Sequence, residues 1–196
     1  MLPDLSLSIL DLAQNGIAAG AALLTITVEE QPEEDLLTIT VEDDGRGMTP
    51  EQLARVTDPF YTTRTTRPVG LGIPFFQMAA ELSRGSVTLH SAPGAGTSVT
   101  GRFVRSHIDR PPLGDVDATL QVLLLGSPRL DLLYTRRLGA REFTLDTRQV
   151  RQVLGEDIPL DTPEVIGFIA AYLAEHTGEL LGQAPGAPPA ADATSD

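Results

Sequence analysis

A chain of 196 residues is long enough for one domain with a small appendage and for a buried core. Its 27 acidic against 14 basic residues leave a net charge of −13, which repels a phosphate backbone and argues against nucleic acid or an anionic membrane as partner. It has no cysteine, which excludes disulfides, thiolate metal sites and cysteine nucleophiles. No apolar run reaches the ~18 residues needed for membrane insertion, and Met1-Leu-Pro-Asp does not open like a signal peptide, so the expected location is cytoplasmic.

Residues 8–22 predict a helix with Ile9, Leu12, Ala13, Ile17 and Gly20 on its core face. Asp11 and Asn15, four residues apart, share one side of it. Leu24, Ile26 and Val28 alternate as in a strand, and Leu37, Ile39 and Val41 do the same, with QPEED as the hairpin loop between them. A Gly-rich turn, DDGRGM, leads to a short helix opened by Thr49-Pro50. A Thr/Arg loop then precedes a helix from about Gly72 to Leu82. SVTLHSA and TSVTGRFV read as two strands joined by PGAG. No internal repeat is evident.

HIDRPPLGD is an extended connection rather than a helix. The resulting organisation is a main unit over 1–105, a linker over 106–115, an appendage over 116–181 and a disordered tail over 182–196, rich in Pro, Ala and Gly. In the appendage LQVLLL, DLLYTRR and REFTLD read as strands. Helices are expected at about 147–154 and 162–177, the second opened by Thr162-Pro163-Glu164. Ile166, Ile169, Ala170 and Leu173 form its apolar stripe, read as core or docking surface.

Four local features carry the chemistry. Asp11 with Asn15 offers a hard amide oxygen for Mg²⁺ and a carboxylate one turn away to orient water or a hydroxyl, although such a pair is more often a solvated helix face. Asp43-Asp44-Gly45-Arg46-Gly47-Met48 follows a strand, where glycines admit a ligand close to the backbone and a carboxylate accepts from an amino group; a plain tight turn is the competing reading. Asp58-Pro59-Phe60-Tyr61-Thr62-Thr63-Arg64 supplies hydroxyls and a guanidinium suited to phosphate, or else a surface loop with an aromatic anchor. Gly70-Leu71-Gly72-Ile73 opens a helix whose exposed amides favour anions.

The order and spacing of these four are more specific than any one. Together they resemble the GHKL superfamily of ATP-binding domains, closest to the histidine-kinase catalytic type. DLAQN is similar to its N box, DDGRGM to its first glycine box, DPFYTTR to its phenylalanine box and GLGI to its second glycine box. SAPGAGTSVTGRF resembles the closing strand pair. The likeness covers nearly all of residues 5–104. It implies an α/β (α+β) two-layer sandwich, a Bergerat-type mixed sheet covered by helices on one face, here with a small C-terminal α/β appendage. It implies ATP or ADP with Mg²⁺ as cofactors. By motif position Asn15 would hold Mg²⁺, and Asp43 the adenine amino group with Thr97 assisting through water. Gly45, Gly47 and Met48 would shape the base pocket. Residues 60–70 would form a lid, with Phe60 in it and Thr63 and Arg64 near the phosphates. Gly70, Leu71 and Gly72 would meet the phosphates at the helix start.

Departures from the family pattern sharpen the expectation. Where histidine kinases carry Asn four residues before the metal-binding Asn, this chain has Asp11. A carboxylate there resembles the ATPase and serine-kinase branches, in which it serves as general base. Ala18 stands where many histidine kinases have Lys, leaving Arg64 or Arg67 to replace that phosphate contact. The first box begins within about ten residues of Met1, so no dimerising hairpin with a phosphoacceptor His is expected before it. His90, His107 and His176 are read as structural or surface residues. The function expected is a stand-alone kinase or ATPase acting on a histidine or serine of a separate partner protein. The alternative is a non-catalytic ATP/ADP-sensing interaction module, anti-sigma-like or accessory to a redox complex. A homodimer is open, and residues 116–181 are the expected docking module, unless they merely complete the core of the ATP domain.

Overall fold

The computed structural model describes residues 4–56, 72–155 and 159–182. Helix α1 spans Leu5–Ala18, starting earlier than the apolar spacing suggested because the Asp4 carboxylate caps it, accepting from the Leu7 amide at 3.0 Å. It also ends earlier, with Gly20 beyond it at φ +83°, so Gly20 is not on its core face. Strands β1 (Leu23–Gln31) and β2 (Leu36–Asp43) pair antiparallel around a 3₁₀ turn at Pro32–Glu34. They carry nearly the same octapeptide, LLTITVEE and LLTITVED, so the chain does hold one short internal repeat. Leu24, Ile26, Val28, Leu37, Ile39 and Val41 are all buried, as the alternation predicts.

Helix α2 (Pro50–Leu53) is held by a full capping box between Thr49 and Gln52. Helix α3 (Gly72–Leu82) and strands β3 (Ser86–Ser91) and β4 (Thr97–Val104) follow. LQVLLL is not a strand but part of helix α4 (Val116–Gly126). The Asp115 carboxylate caps it at the Ala118 amide, and Val116, Leu120, Leu123 and Leu124 then fall on one buried face. Strands β5 (Asp131–Leu138) and β6 (Arg141–Asp146) and helices α5 (Thr147–Leu154) and α6 (Pro163–Leu181) complete the elements of the described residues. Thr162 is the N-cap of α6, but its side chain makes no capping bond.

All six strands form one mixed sheet in the order β3-β4-β2-β1-β5-β6, antiparallel except where β5 runs parallel to β1. Residues 116–181 therefore extend the sheet begun by the first four strands. One face holds the core: α1 lies on β2, α3 on β3 and β4, α6 on β5 and β6, and α4 bridges α1 and α6. This is the two-layer α/β architecture expected. On the other face the strand registers align one threonine from every strand in a single row: Thr88, Thr100, Thr40, Thr27, Thr135 and Thr144. Phe76 of α3 meets Phe103 of β4 edge-on at 5.4 Å, over Gly101, where a Cβ would lie 2.4 Å from the Phe76 ring.

One ion pair ties the added strands to the rest, and a second holds α5 to β5. Arg136 of β5, buried, pairs with Glu30 of β1, whose other oxygen accepts from Arg105 Nε at 2.7 Å. Arg151 of α5 bonds Asp131 at 2.9 Å and the Pro128 carbonyl at 2.8 Å.

Candidate nucleotide site

The site grows from the end of β2. Asp43 is its last residue, and its carboxylate takes the Gly45 amide at 2.9 Å, bending the chain back on itself. Asp44 anchors that bend by accepting from the amides of Ala22 and Leu23 at 2.7 and 2.9 Å. The Arg46 amide reaches the Ala19 carbonyl at 3.0 Å, and the Arg46 carbonyl accepts from Gly94 at 2.8 Å. The glycine turn is thus stitched to the end of α1 on one side and to the β3–β4 turn on the other. Gly47 is indispensable to this path: at φ +65° a Cβ would fall 1.9 Å from the Ala92 carbonyl oxygen.

Asp43 is half-buried. Desolvation raises its pKa above the ordinary 3.8, aided by the like charge of Asp44 and opposed by the amides of Gly45 and Thr97. An acid kept partly out of water, and paired with no cation among the described residues, is suited to a neutral hydrogen-bond donor such as an exocyclic amino group. Thr97 faces Asp43 across the β2–β4 register.

Helix α1 closes a second wall. Gly16 lets it rest on Asp43, since a Cβ there would lie 2.7 Å from the Asp43 Cβ. Asn15, half-buried, precedes it, and Asp11 lies one turn earlier. At the start of α3, a Cβ on Gly72 would lie 3.2 Å from the Asp11 Cβ and 3.8 Å from Asn15 Nδ2. The fold therefore gathers Asp11, Asn15, Asp43, Gly45, Gly47, Met48, Gly72 and Thr97 about one end of the sheet. Phe60, Thr63, Arg64, Gly70 and Leu71, together with the rest of the expected lid, lie outside the described residues, as does the tail beyond Gly182.

Three residues of this region escaped the sequence reading. Gly16 follows Asn15 directly and signals a close helix–strand approach only once the partner strand is known. Gly96, at φ +77°, places its missing side chain 1.8 Å from the Asp43 carbonyl oxygen. Ser91 binds Met48, Gly96 and Thr97 at once. The PGAG turn was the available signal for Gly96; nothing local marked Ser91.

Among the described residues no three His, Asp or Glu side chains cluster to hold a metal ion. A cation here would lean on Asn15 and on oxygens of the nucleotide itself, the usual habit of Mg²⁺. No described helix is long and apolar enough to cross a membrane. A separate apolar cavity of about 430 Å³, lined by Val150, Val153, Leu154, Val165, Phe168 and Tyr172 among others, lies between α5 and α6 and includes none of these residues.

A mixed sheet with an acidic residue at a strand end, glycine turns beside it and a helix start facing an Asp/Asn pair agrees with the histidine-kinase-like resemblance of the sequence motifs. The family model for the histidine kinase-, DNA gyrase B- and HSP90-like ATPases matches residues 3–107, and the chain belongs to that family. It is 32% identical over 111 residues to the non-motile and phage-resistance protein of Caulobacter vibrioides, covering 52% of this chain and 13% of that protein. It is 39% identical over 93 residues to the sensor protein kinase FleS of Pseudomonas aeruginosa, covering 47% and 23%. With the sensor histidine kinase ZraS of Salmonella typhi it shares 36% identity over 100 residues, 50% of this chain and 21% of that one. The matched segments thus span less than a quarter of these relatives' lengths. Among solved structures, the N-terminal domain of a DNA repair protein superposes with a TM-score of 0.50 at 13% identity, over 73% of this chain and 52% of that one, a likeness of fold.

Proposed function

We propose that the protein binds Mg-ATP at the end of β2 and transfers its terminal phosphoryl group to water or to a residue of a separate partner protein. The observation that carries this reading is Gly72, which sets the start of α3 against both Asp11 and Asn15. A phosphate-binding helix terminus, a metal-binding amide and a carboxylate are thereby neighbours, the parts phosphoryl transfer requires.

Each residue has a distinct task. Asp43 accepts a hydrogen bond from the adenine amino group. The amides at the start of α3 face the phosphates, with the positive end of the helix behind them. Asn15 offers its side-chain oxygen to the cation, which supplies charge neutralisation at the phosphates when bound. Asp11 accepts the proton of the attacking water or hydroxyl, the role its place one turn before Asn15 allows. Thr63 and Arg64 are assigned to the phosphates by motif position alone.

The test is calorimetric titration with ATP and ADP in Mg²⁺, beside a phosphate-release assay on the same sample. Wild type should bind both nucleotides. Asp11→Asn should hold affinity while slowing turnover about 100-fold or more, the usual loss of a general base. Unchanged turnover at unchanged affinity would refute the base role. Binding with no turnover, alone or with candidate acceptors, would favour the nucleotide-sensing module instead.

A further inference from the structure

Ser91, the last residue of β3, stands opposite Thr97 of β4. Its hydroxyl oxygen is 2.8 Å from the Gly96 carbonyl, 2.9 Å from the Met48 amide nitrogen and 2.9 Å from Thr97 Oγ1. A carbonyl can only accept, so the single Ser91 proton goes to Gly96. The Met48 amide can only donate, so it occupies one Ser91 lone pair. The remaining lone pair is left for Thr97, whose hydroxyl must be the donor in that contact. The Gly96 carbonyl cannot easily turn away, because Gly96 is packed against the backbone of Asp43.

The consequence concerns polarity. Having given its proton to Ser91, Thr97 presents only lone pairs to the cleft. Asp43, ionised, presents only lone pairs as well. The two side chains at this place, Asp43 and Thr97, are therefore both acceptors. A purine with an amino group at position 6 satisfies them, directly or through a water that donates to Thr97. A purine with a carbonyl at position 6 sets a third acceptor against these two.

We propose that Ser91 is a positioning residue for base discrimination: by taking the Thr97 proton it holds the pocket in the polarity that admits 6-amino purines and rejects 6-oxo purines. This rests on the reading that the cleft at Asp43 binds the base of a nucleotide. Without the Ser91 hydroxyl, the Thr97 proton is free to turn toward the cleft and donate to a 6-oxo group. Asp43 continues to oppose that group, so discrimination should weaken rather than vanish.

The experiment is calorimetry with Mg-ADP and Mg-IDP, which differ in the base only by amino against oxo at position 6 and its attendant ring proton. Ser91→Ala should lower the ADP:IDP affinity ratio by about three- to tenfold, the worth of one hydrogen bond. Thr97→Val should lower it similarly, and the double variant should add little to either, because the two act as one unit. Ser91→Thr, which keeps the hydroxyl, should retain the wild-type ratio. A scaffold role alone would weaken both ligands equally, so an unchanged ratio in Ser91→Ala overturns the proposal while leaving the nucleotide site standing. Should Ser91→Ala not fold, an unchanged ratio in Thr97→Val overturns it equally. Wild type that binds neither nucleotide overturns the underlying reading, and the proposal with it.

Discussion

In the half of the sheet that carries the cleft, a Cβ added at Gly16, Gly45, Gly47 or Gly96 would come within 3 Å of another atom. In the other half, a Cβ at Gly126, Gly139, Gly167 or Gly178 would meet nothing within 4 Å. The first half is built by close approach at these glycines, onto backbone at Gly47 and Gly96 and onto the Asp43, Leu24 and Ala19 side chains at Gly16 and Gly45. The second is built by side chains: Arg136 on Glu30, Arg151 on Asp131, and Tyr134 against Phe143 at 5.8 Å edge-on. All 14 basic residues of the chain are arginines, whose forked donors suit such partly buried pairs. One half should therefore fail when atoms are added and the other when atoms are removed.

The largest effect is expected from removal. Glu30→Ala takes the hydrogen-bonded carboxylate from Arg136, a buried cation, leaving it the nearby charge of Asp117, and should cost about 3 kcal/mol in urea-induced unfolding. A loss below about 1 kcal/mol would show that the ion pair is not what joins β5 to β1. Addition comes next. Gly47→Ala forces a positive φ on alanine and drives its Cβ toward the Ala92 carbonyl, so strain of about 1–3 kcal/mol and at least a tenfold loss of ADP affinity are expected. Wild-type melting and binding in that variant would mean the turn relaxes freely and the contrast between the halves is false.

Asp43→Asn separates binding from stability within the cleft itself. Losing a charged acceptor for the base should weaken ADP roughly tenfold to a hundredfold. The folded protein should nevertheless gain stability near neutral pH, because burial raises the Asp43 pKa and so penalises its charged form. With a folded value above 3.8, the folded state holds this proton more tightly than the unfolded chain. The stability contributed by Asp43 is thus present at low pH and is lost as pH rises through the folded value. Urea titrations across acid pH should show the variant's advantage shrinking as pH falls toward 3.8. An advantage that grows as pH falls would reverse the assignment.

What the sequence disclosed follows the same division. The cleft half was legible because its boxes are local: glycines beside Asp43, a strand alternating Leu37, Ile39, Val41, a cap at Thr49. Helix α4 was misread because LQVLLL is apolar at almost every position, and such a run has no period to tell helix from strand. Packing against α1 and α6 decided it, and that packing is not local. The parallel pairing of β1 with β5 joins residues about a hundred apart and leaves no mark in either segment. Ser91 belongs to the same kind: an unremarkable strand residue until register brings Thr97 and the two turns to its hydroxyl.

The smallest expected effect is also the cleanest probe of the comparison. Gly167 and Gly178 sit inside α6, where glycine costs about 0.5–1 kcal/mol relative to alanine through the freedom it has in the unfolded chain. Open space around both positions means that a methyl group meets no neighbour to offset that gain. Gly167→Ala and Gly178→Ala should each stabilise by roughly that amount. Eleven residues of helix separate them by about 16 Å, so their effects should add. Nucleotide affinity should not move, since neither position touches the cleft. Destabilisation by either alanine would mean that α6 is covered at that position, and that the second half too is held by close approach of backbone.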